Sequence, residues 1–145
     1  GGSMTASPHL LHATCLLVNG KGVLLMGASG AGKSDLALRL IDRGAMLVGD
    51  DYVETGISDD RLSARAPERI KGKLEVRGIG LCTFPYVETA TIDLIVRLGE
   101  TAERFPQQLV EVVEGISIPL LHIHAYEASA PIKVELALAQ GIGIA

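Results

Sequence analysis

Residues Gly27 to Leu40 read GASGAGKSDLALRL, and a short apolar run, Gly22 to Met26, precedes them. Within this stretch Gly27-Ala28-Ser29-Gly30-Ala31-Gly32-Lys33-Ser34 satisfies the pattern G-x-x-x-x-G-K-[ST]. Glycines at that spacing let successive backbone N–H groups turn inward toward one anion. A helix starting near Lys33 points its positive end at the same place. The spacing therefore predicts a phosphate cradle built from Gly27, Ala28, Ser29, Gly30, Ala31, Gly32, Lys33 and Ser34. Lys33 reaches the terminal phosphates and the Ser34 hydroxyl is available to Mg²⁺. A strand before and a helix after are the context such a cradle needs, so the fold class is α/β, a P-loop domain.

Working outward, Leu10 to Val18 predicts a strand, Asn19-Gly20 a two-residue hairpin turn, and Val23 to Met26 the returning strand. Ser34 to Arg43 predicts a helix with Leu36, Leu40 and Ile41 on one face, Ala37 beside them, and Gly44 as its stop. Ala45 to Gly49 follows as a short buried strand that ends in Asp50-Asp51. The helix carries the chain back about 15 Å. The next strand must then run parallel to the first, as a right-handed crossover. Asp50 and Asp51 therefore emerge at the edge that holds the cradle, where ligand sites of α/β sheets gather. Neighbours on an extended segment point to opposite sides, so one of the two faces the phosphates. A carboxylate there can ligate Mg²⁺ through water or take a proton from an attacking hydroxyl. If Asn19-Gly20 is the turn, His12 falls opposite Gly27, beside the cradle, where it can orient the aspartate or touch phosphate.

Downstream, Tyr52 to Ala66 predicts a hairpin across Ser58-Asp59-Asp60, and Pro67 opens a glycine-spaced segment, ERIKGKLEVRGIGL. Thr91 to Leu98 predicts a strand, Pro106 to Glu114 has no clear assignment, and Ile116 to Ala125 reads as one or two strands broken by Pro119. Glu127 to Gln140 predicts a closing helix, with Ser129 as N-cap and Pro131 in the first turn. The expected architecture is a mixed sheet with the βαβ unit at its centre and an antiparallel hairpin on one side.

The whole chain has 145 residues, 48% apolar and 21% charged, which suits one globular domain. Aromatics are 3% and Trp is absent, so the core must be aliphatic. A net charge of -4 without a Lys/Arg run argues against a nucleic-acid surface. No apolar stretch approaches the roughly 20 residues of a membrane helix, and the start lacks a basic and then apolar leader. A cytoplasmic location with no membrane partner is expected. Gly1-Gly2-Ser3 ahead of Met4 reads as a cloning remnant, leaving a single domain over 4–145. Cys15 and Cys82 lack metal-like spacing and read as reduced, buried thiols.

Four features occur in order: His12 in HATCLLVNGKGVLLMG, the cradle, RGAMLVGDD (Arg43 to Asp51) and LEVRGIG (Leu74 to Gly80). With them the chain, from about residue 10 to 140, resembles the catalytic domain of the HPr kinase/phosphorylase family. The resemblance implies a core similar to that of phosphoenolpyruvate carboxykinase. It implies ATP and Mg²⁺ as cofactors and a serine of HPr, a small phosphocarrier protein, as acceptor. Many members also run the reverse, removing the seryl phosphate with inorganic phosphate as pyrophosphate. By that match Lys33 holds the β- and γ-phosphates, and Ser34 and Glu75 hold Mg²⁺. One of Asp50 and Asp51, with Asp51 preferred, is the base, and the acid in reverse. His12 supports the site, Arg77 stabilises charge on the transferring phosphoryl group, and Arg104 in ETAERFP matches a further family arginine. The short stretch ahead of His12 is similar to the short alphaproteobacterial form. Family members are often hexamers, so a homo-oligomer is expected.

The chain departs from the family in two places. The stretch after LEVRGIG, LCTFPYVETA, is shorter than usual. HIHAYEASAP carries no Arg where the family loop, tied to phosphorolysis, is often basic, and its His122 and His124 alternate on one strand face. Two other classes compete. A nucleotide- or phosphate-sensing module with little turnover needs no proton acceptor. A small-molecule kinase or GTPase would show a base-recognition motif such as N-K-x-D, which is absent.

Overall fold

Val18 pairs with Lys21 across Asn19-Gly20 in the computed structural model, which describes residues 9–99 and 109–142. Both turn residues have positive φ, 50° and 81°, the geometry that matches the twist of a two-residue hairpin. The ladder joins Thr14–Val18 (β2) to Lys21–Met26 (β3) in the expected register. The predicted strand Leu10 to Val18 is nevertheless two strands. His9–Leu11 (β1) leaves the ladder, and His12-Ala13 form the break. The Ala13 N–H donates to the carbonyl of Asp51 at 3.1 Å, so the chain trades its hairpin partner for the segment after the next strand. His12 is therefore not paired with Gly27.

Lys33–Asp42 (α1) starts one residue earlier than predicted and buries Leu36, Ala37 and Leu40. Met46–Gly49 (β4) runs in the same direction as β3, as the crossover argument requires, but does not pair with it. It pairs antiparallel with β2, which is inserted between β3 and β4. The hairpin thus lies inside the βαβ unit rather than beside it, a correction to the expected arrangement. The reason is local: after a two-residue turn β2 must zip onto one flank of β3, and that flank is the one β4 would have used.

Val53–Ser58 (β5) and Arg61–Arg65 (β6) form the expected hairpin, turned by Asp59 and Asp60 at φ 52° and 62°. Lys73–Val76 (β7) and Gly80–Thr83 (β8) make a separate two-stranded ribbon. Ala90–Leu98 (β9) pairs parallel with β3, then antiparallel with β6 near its start and parallel with Ile116–Ile123 (β11) near its end. Val110–Val113 (β10) pairs with β11. The main sheet runs β1-β5-β6-β9-β3-β2-β4, with β11 and β10 branching at β9.

Pro119 does not break β11. It stands opposite Val110, and the bond from Leu120 N–H to Leu109 O, 2.8 Å, sets the alternation. The missing N–H of Pro119 points away from β10, on a side where pairing with β9 begins only at Leu120. The last helix, Ala130–Gln140 (α2), starts three residues later than predicted. Ser129 precedes it but makes no side-chain cap bond: its backbone is already helical, φ -83° and ψ -1°, and Pro131 at the second helical position has no N–H to offer.

Both faces of the central strands are buried, which explains runs such as Val23 to Met26 with no polar alternation. One face packs under α1 and α2 through residues such as Leu25, Leu36, Leu47, Val96 and Val134. The other is buried by the sheet curling on itself, bringing Leu24 and Ile95 against Leu62 and Ile118. Removing a fully buried leucine such as Leu36 costs about 2–5 kcal/mol. Cys15 is buried and Cys82 half-buried, and both are free thiols. Among the described residues no helix is long and apolar enough to cross a membrane.

Candidate active site

Parallel β3 and co-directional β4 deliver Gly27 and Asp50 to the same edge of the sheet, and a cleft of about 860 Å³ opens there. The loop after β3 turns through Gly30 and Gly32 at φ 85° and 99°, values that L side chains rarely adopt. A Cβ on Gly32 would also stand 2.6 Å from Ala125 Cβ and 3.2 Å from the Tyr126 ring. The loop is therefore held from above by the segment that follows β11. Arg39 of α1 fastens that segment by donating to the carbonyls of Ala125 and Glu127, the latter at 3.1 Å.

Lys33 is only 8% exposed. Its ammonium donates to the carbonyls of Gly27 and Ala28, at 2.7 and 3.2 Å, rather than to a described carboxylate. Burial pushes its pKa below the ordinary 10.5, against the upward pull of the Asp51 and Asp50 charges. A buried ammonium with a spare donor, on a loop turned by Gly30 and Gly32 at positive φ, suits a bound anion.

The two adjacent aspartates have different surroundings. Asp50 is 9% exposed, and its Oδ1 accepts from the Thr14 hydroxyl at 2.8 Å and the Ser34 hydroxyl at 3.0 Å. Its Oδ2 faces the backbone N–H of Glu75 at 3.5 Å. Asp51 has a side chain 66% exposed and φ 73°. Tyr52 N–H donates back to Asp50 O at 2.8 Å, so Asp51 is the centre of a γ-turn of the rare, strained kind. The turn aims the Asp51 carboxylate at the break between β1 and β2, where His12 Nε2 lies 3.2 Å from Oδ1. The His12 ring packs on Tyr52 with centroids 5.0 Å apart.

Leu74 is buried in the helix-side core, so the two-residue period of β7 leaves Glu75 exposed to the cleft. Arg77 occupies the turn after β7 and lines the same cleft. Cradle residues Ser29, Gly30, Gly32, Lys33 and Ser34 line it as well. Gly27, Ala28 and Ala31 complete the loop behind them. Arg104 lies outside the described residues. His122 sits on β11 beside Arg97, away from the cleft, with both ring nitrogens buried and without a hydrogen-bond partner among the described residues.

Among the described residues no three His, Cys, Asp or Glu side chains converge closely enough to hold a metal by themselves. Magnesium keeps several waters and leans on substrate phosphates, so it needs no such cage. The oxygen donors of Ser34, Asp50 and Glu75 fit that ion.

Residues 3–124 match the family described as HPr Serine kinase C-terminal domain. The chain belongs to this family. The HPr kinase/phosphorylase of Caldicellulosiruptor bescii is 39% identical over 127 residues, covering 77% of this chain and 40% of that protein. The HPr kinase/phosphorylase of Lachnoclostridium phytofermentans is 45% identical over 98 residues, covering 62% and 32%. The structure of the Hpr(Ser) kinase/phosphatase from Coxiella burnetii is similar at TM-score 0.77 and 28% identity, over 90% of this chain and 88% of that one. This HPr kinase-family domain thus spans about 40% of the length of the first of these relatives.

Sequence reasoning missed Thr14 and Tyr126. Thr14 was one polar residue in a run of strand formers. The available signal was that a hydroxyl buried in such a run must find an acceptor. Tyr126 is brought over Gly32 by β11, and no local pattern announces that.

Proposed function

We propose that this domain transfers the γ-phosphoryl group of ATP to a serine hydroxyl of an HPr-type phosphocarrier protein, with Mg²⁺. The observation that carries this reading is the division between Asp50, buried against Ser34, and Asp51, exposed beside His12 in the same cleft. A binding module would need the first carboxylate but not the second.

Gly27 to Ser34 would act as a P-loop around the phosphates, on a core of the kind found in phosphoenolpyruvate carboxykinase. Lys33 would leave its two carbonyls and bind the β- and γ-phosphates. Ser34, Asp50 and Glu75 would hold Mg²⁺, which supplies positive charge against the developing charge on the phosphate oxygens. Asp51 would take the proton of the serine hydroxyl. The serine oxygen then bonds to the γ-phosphorus, and the bond from that phosphorus to the bridging oxygen breaks, leaving its electron pair on ADP. His12 orients Asp51, and Arg77 neutralises charge at the transferring group. In the reverse direction protonated Asp51 would return its proton to the serine oxygen as inorganic phosphate takes the phosphoryl group and leaves as pyrophosphate.

The test is a phosphotransfer assay with purified protein, an HPr-type protein, Mg²⁺ and γ-labelled ATP, followed by excess phosphate. Label on a serine, lost in Lys33→Ala, supports the kinase, and its later release as pyrophosphate supports the reverse step. ATP binding without label would overturn the kinase reading and favour a nucleotide-sensing module.

A further inference from the structure

Thr14 lies on β2, is 0% exposed, and donates its hydroxyl to Asp50 Oδ1 at 2.8 Å. Ser34 donates to that same oxygen at 3.0 Å. An ionised carboxylate oxygen offers about two lone-pair sites, so the two hydroxyls fill Oδ1. Oδ2 has only a long approach from the Glu75 amide, at 3.5 Å, and is the face left for a cation or its water. The two hydroxyls are not equivalent. Ser34 lies in the first turn of α1 and lines the cleft, whereas Thr14 is paired with Leu25 of β3, and its two neighbours are held on the other flank, Ala13 by its N–H bond to Asp51 O at 3.1 Å and Cys15 by pairing with Gly49 of β4. The Thr14 backbone is thereby held from both sides, and its hydroxyl is a fixed reference for the carboxylate.

Valine has nearly the same shape and would suit a buried strand better, having no hydroxyl to satisfy. The hydroxyl is explained by its acceptor. We propose that Thr14 is a positioning residue of the metal site: it fixes the rotation of the Asp50 carboxylate so that Oδ2 faces the Mg²⁺ held with Ser34 and Glu75. This role rests on the Mg²⁺-dependent phosphotransfer proposed above. Partners of this outer kind orient a ligand without touching the metal, and their loss lowers metal affinity about 10- to 100-fold.

The experiment is a magnesium titration of ATP binding, read by calorimetry in chelator and in rising Mg²⁺, on the wild type, Thr14→Val and Thr14→Ser. Thr14→Val is expected to raise the half-saturating Mg²⁺ at least about tenfold, with metal-free ATP affinity within about twofold of wild type. Thr14→Ser, which keeps the hydroxyl, should recover most of the loss. An unchanged Mg²⁺ requirement in folded Thr14→Val overturns the assignment. So does an equal loss of ATP affinity with and without Mg²⁺, which marks a merely structural residue. If thermal melting shows that Thr14→Val does not fold, Thr14→Ala, which leaves space instead of a methyl group, is judged by the same criteria. Wild-type protein whose ATP binding ignores Mg²⁺ overturns the metal-dependent reading itself, an outcome distinct from the failure of Thr14 alone.

Discussion

His12 Nε2 lies 3.2 Å from Asp51 Oδ1, although the two residues are 39 positions apart and neither belongs to a strand. Two irregularities create the contact. One is the break between β1 and β2, which frees His12. The other is the γ-turn, which swings Asp51 out of line with Asp50. Adjacent carboxylates are thereby given separate surroundings, one buried among hydroxyls and one exposed at the cleft beside His12.

Asp51→Asn should lower phosphoryl transfer by about 10²- to 10⁴-fold, the usual contribution of a positioned base. ATP affinity should stay near wild type. His12→Gln should give a smaller loss, and the double variant less than the product of the two, as expected of a residue whose proposed role is to orient Asp51. Single-turnover rates with the HPr-type protein measure all three. Full transfer by Asp51→Asn would remove Asp51 from the mechanism.

The φ of 73° at Asp51 costs stability that glycine would not lose. Relief of about 1–3 kcal/mol of strain, less the extra chain entropy of glycine, leaves Asp51→Gly more stable by about 1 kcal/mol. The variant should melt higher and be inactive. A lower melting temperature would mean that contacts of the Asp51 side chain outweigh the strain.

The buried Lys33 amine gives stability a sign that can be checked. Its folded pKa is below the unfolded 10.5, so between those values the unfolded chain binds more protons and stability rises with pH. Below the window the cost of burying the charge is fully present. Lys33→Met should therefore be more stable than wild type near neutral pH and lack the alkaline rise. Pyrophosphate binding should show the opposite trend in the wild type, weakening as pH climbs through the window. Denaturant melts and phosphate-ligand titrations across the alkaline range test both.

Gly32→Ala puts a methyl group 2.6 Å from Ala125 Cβ at a backbone position of φ 99°. Strain and overpacking each cost about 1–3 kcal/mol. The variant should be destabilised by that order and should bind ATP more weakly, since the loop must shift. Wild-type affinity in a folded Gly32→Ala would show that the segment after β11 does not shape the cradle.

Arg39→Ala removes the donor that ties Ala125 and Glu127 to α1. Amide exchange of residues 125–130 should quicken, with β3 and β9 unaffected. Exchange unchanged in that segment would place its anchorage elsewhere, in the packing of Tyr126 on Gly32.

Much of this site is legible in residue order because its parts are local. Asn19-Gly20 sets a hairpin register, the glycine spacing sets the cradle, Gly44 stops α1, and element lengths bring Asp50-Asp51 back to the cradle edge. Each depends on backbone preferences within a few residues, or on the rise per residue of a helix or strand. The other features depend on which edges meet. The hydrophobic period tells which face a strand buries but not which neighbour its N–H groups find, so nothing in residues 14–26 announced that β2 would lie between β3 and β4. The same blindness hid the break at His12 and left Pro119 looking like a stop, although its missing donor faces the β9 side just ahead of the first pairing there, at Leu120. Thr14, Asp50 and Ser34 come together only because three separate elements converge on one carboxylate. A hydrogen bond between residues 36 positions apart has no trace in the order of residues until the sheet is assembled.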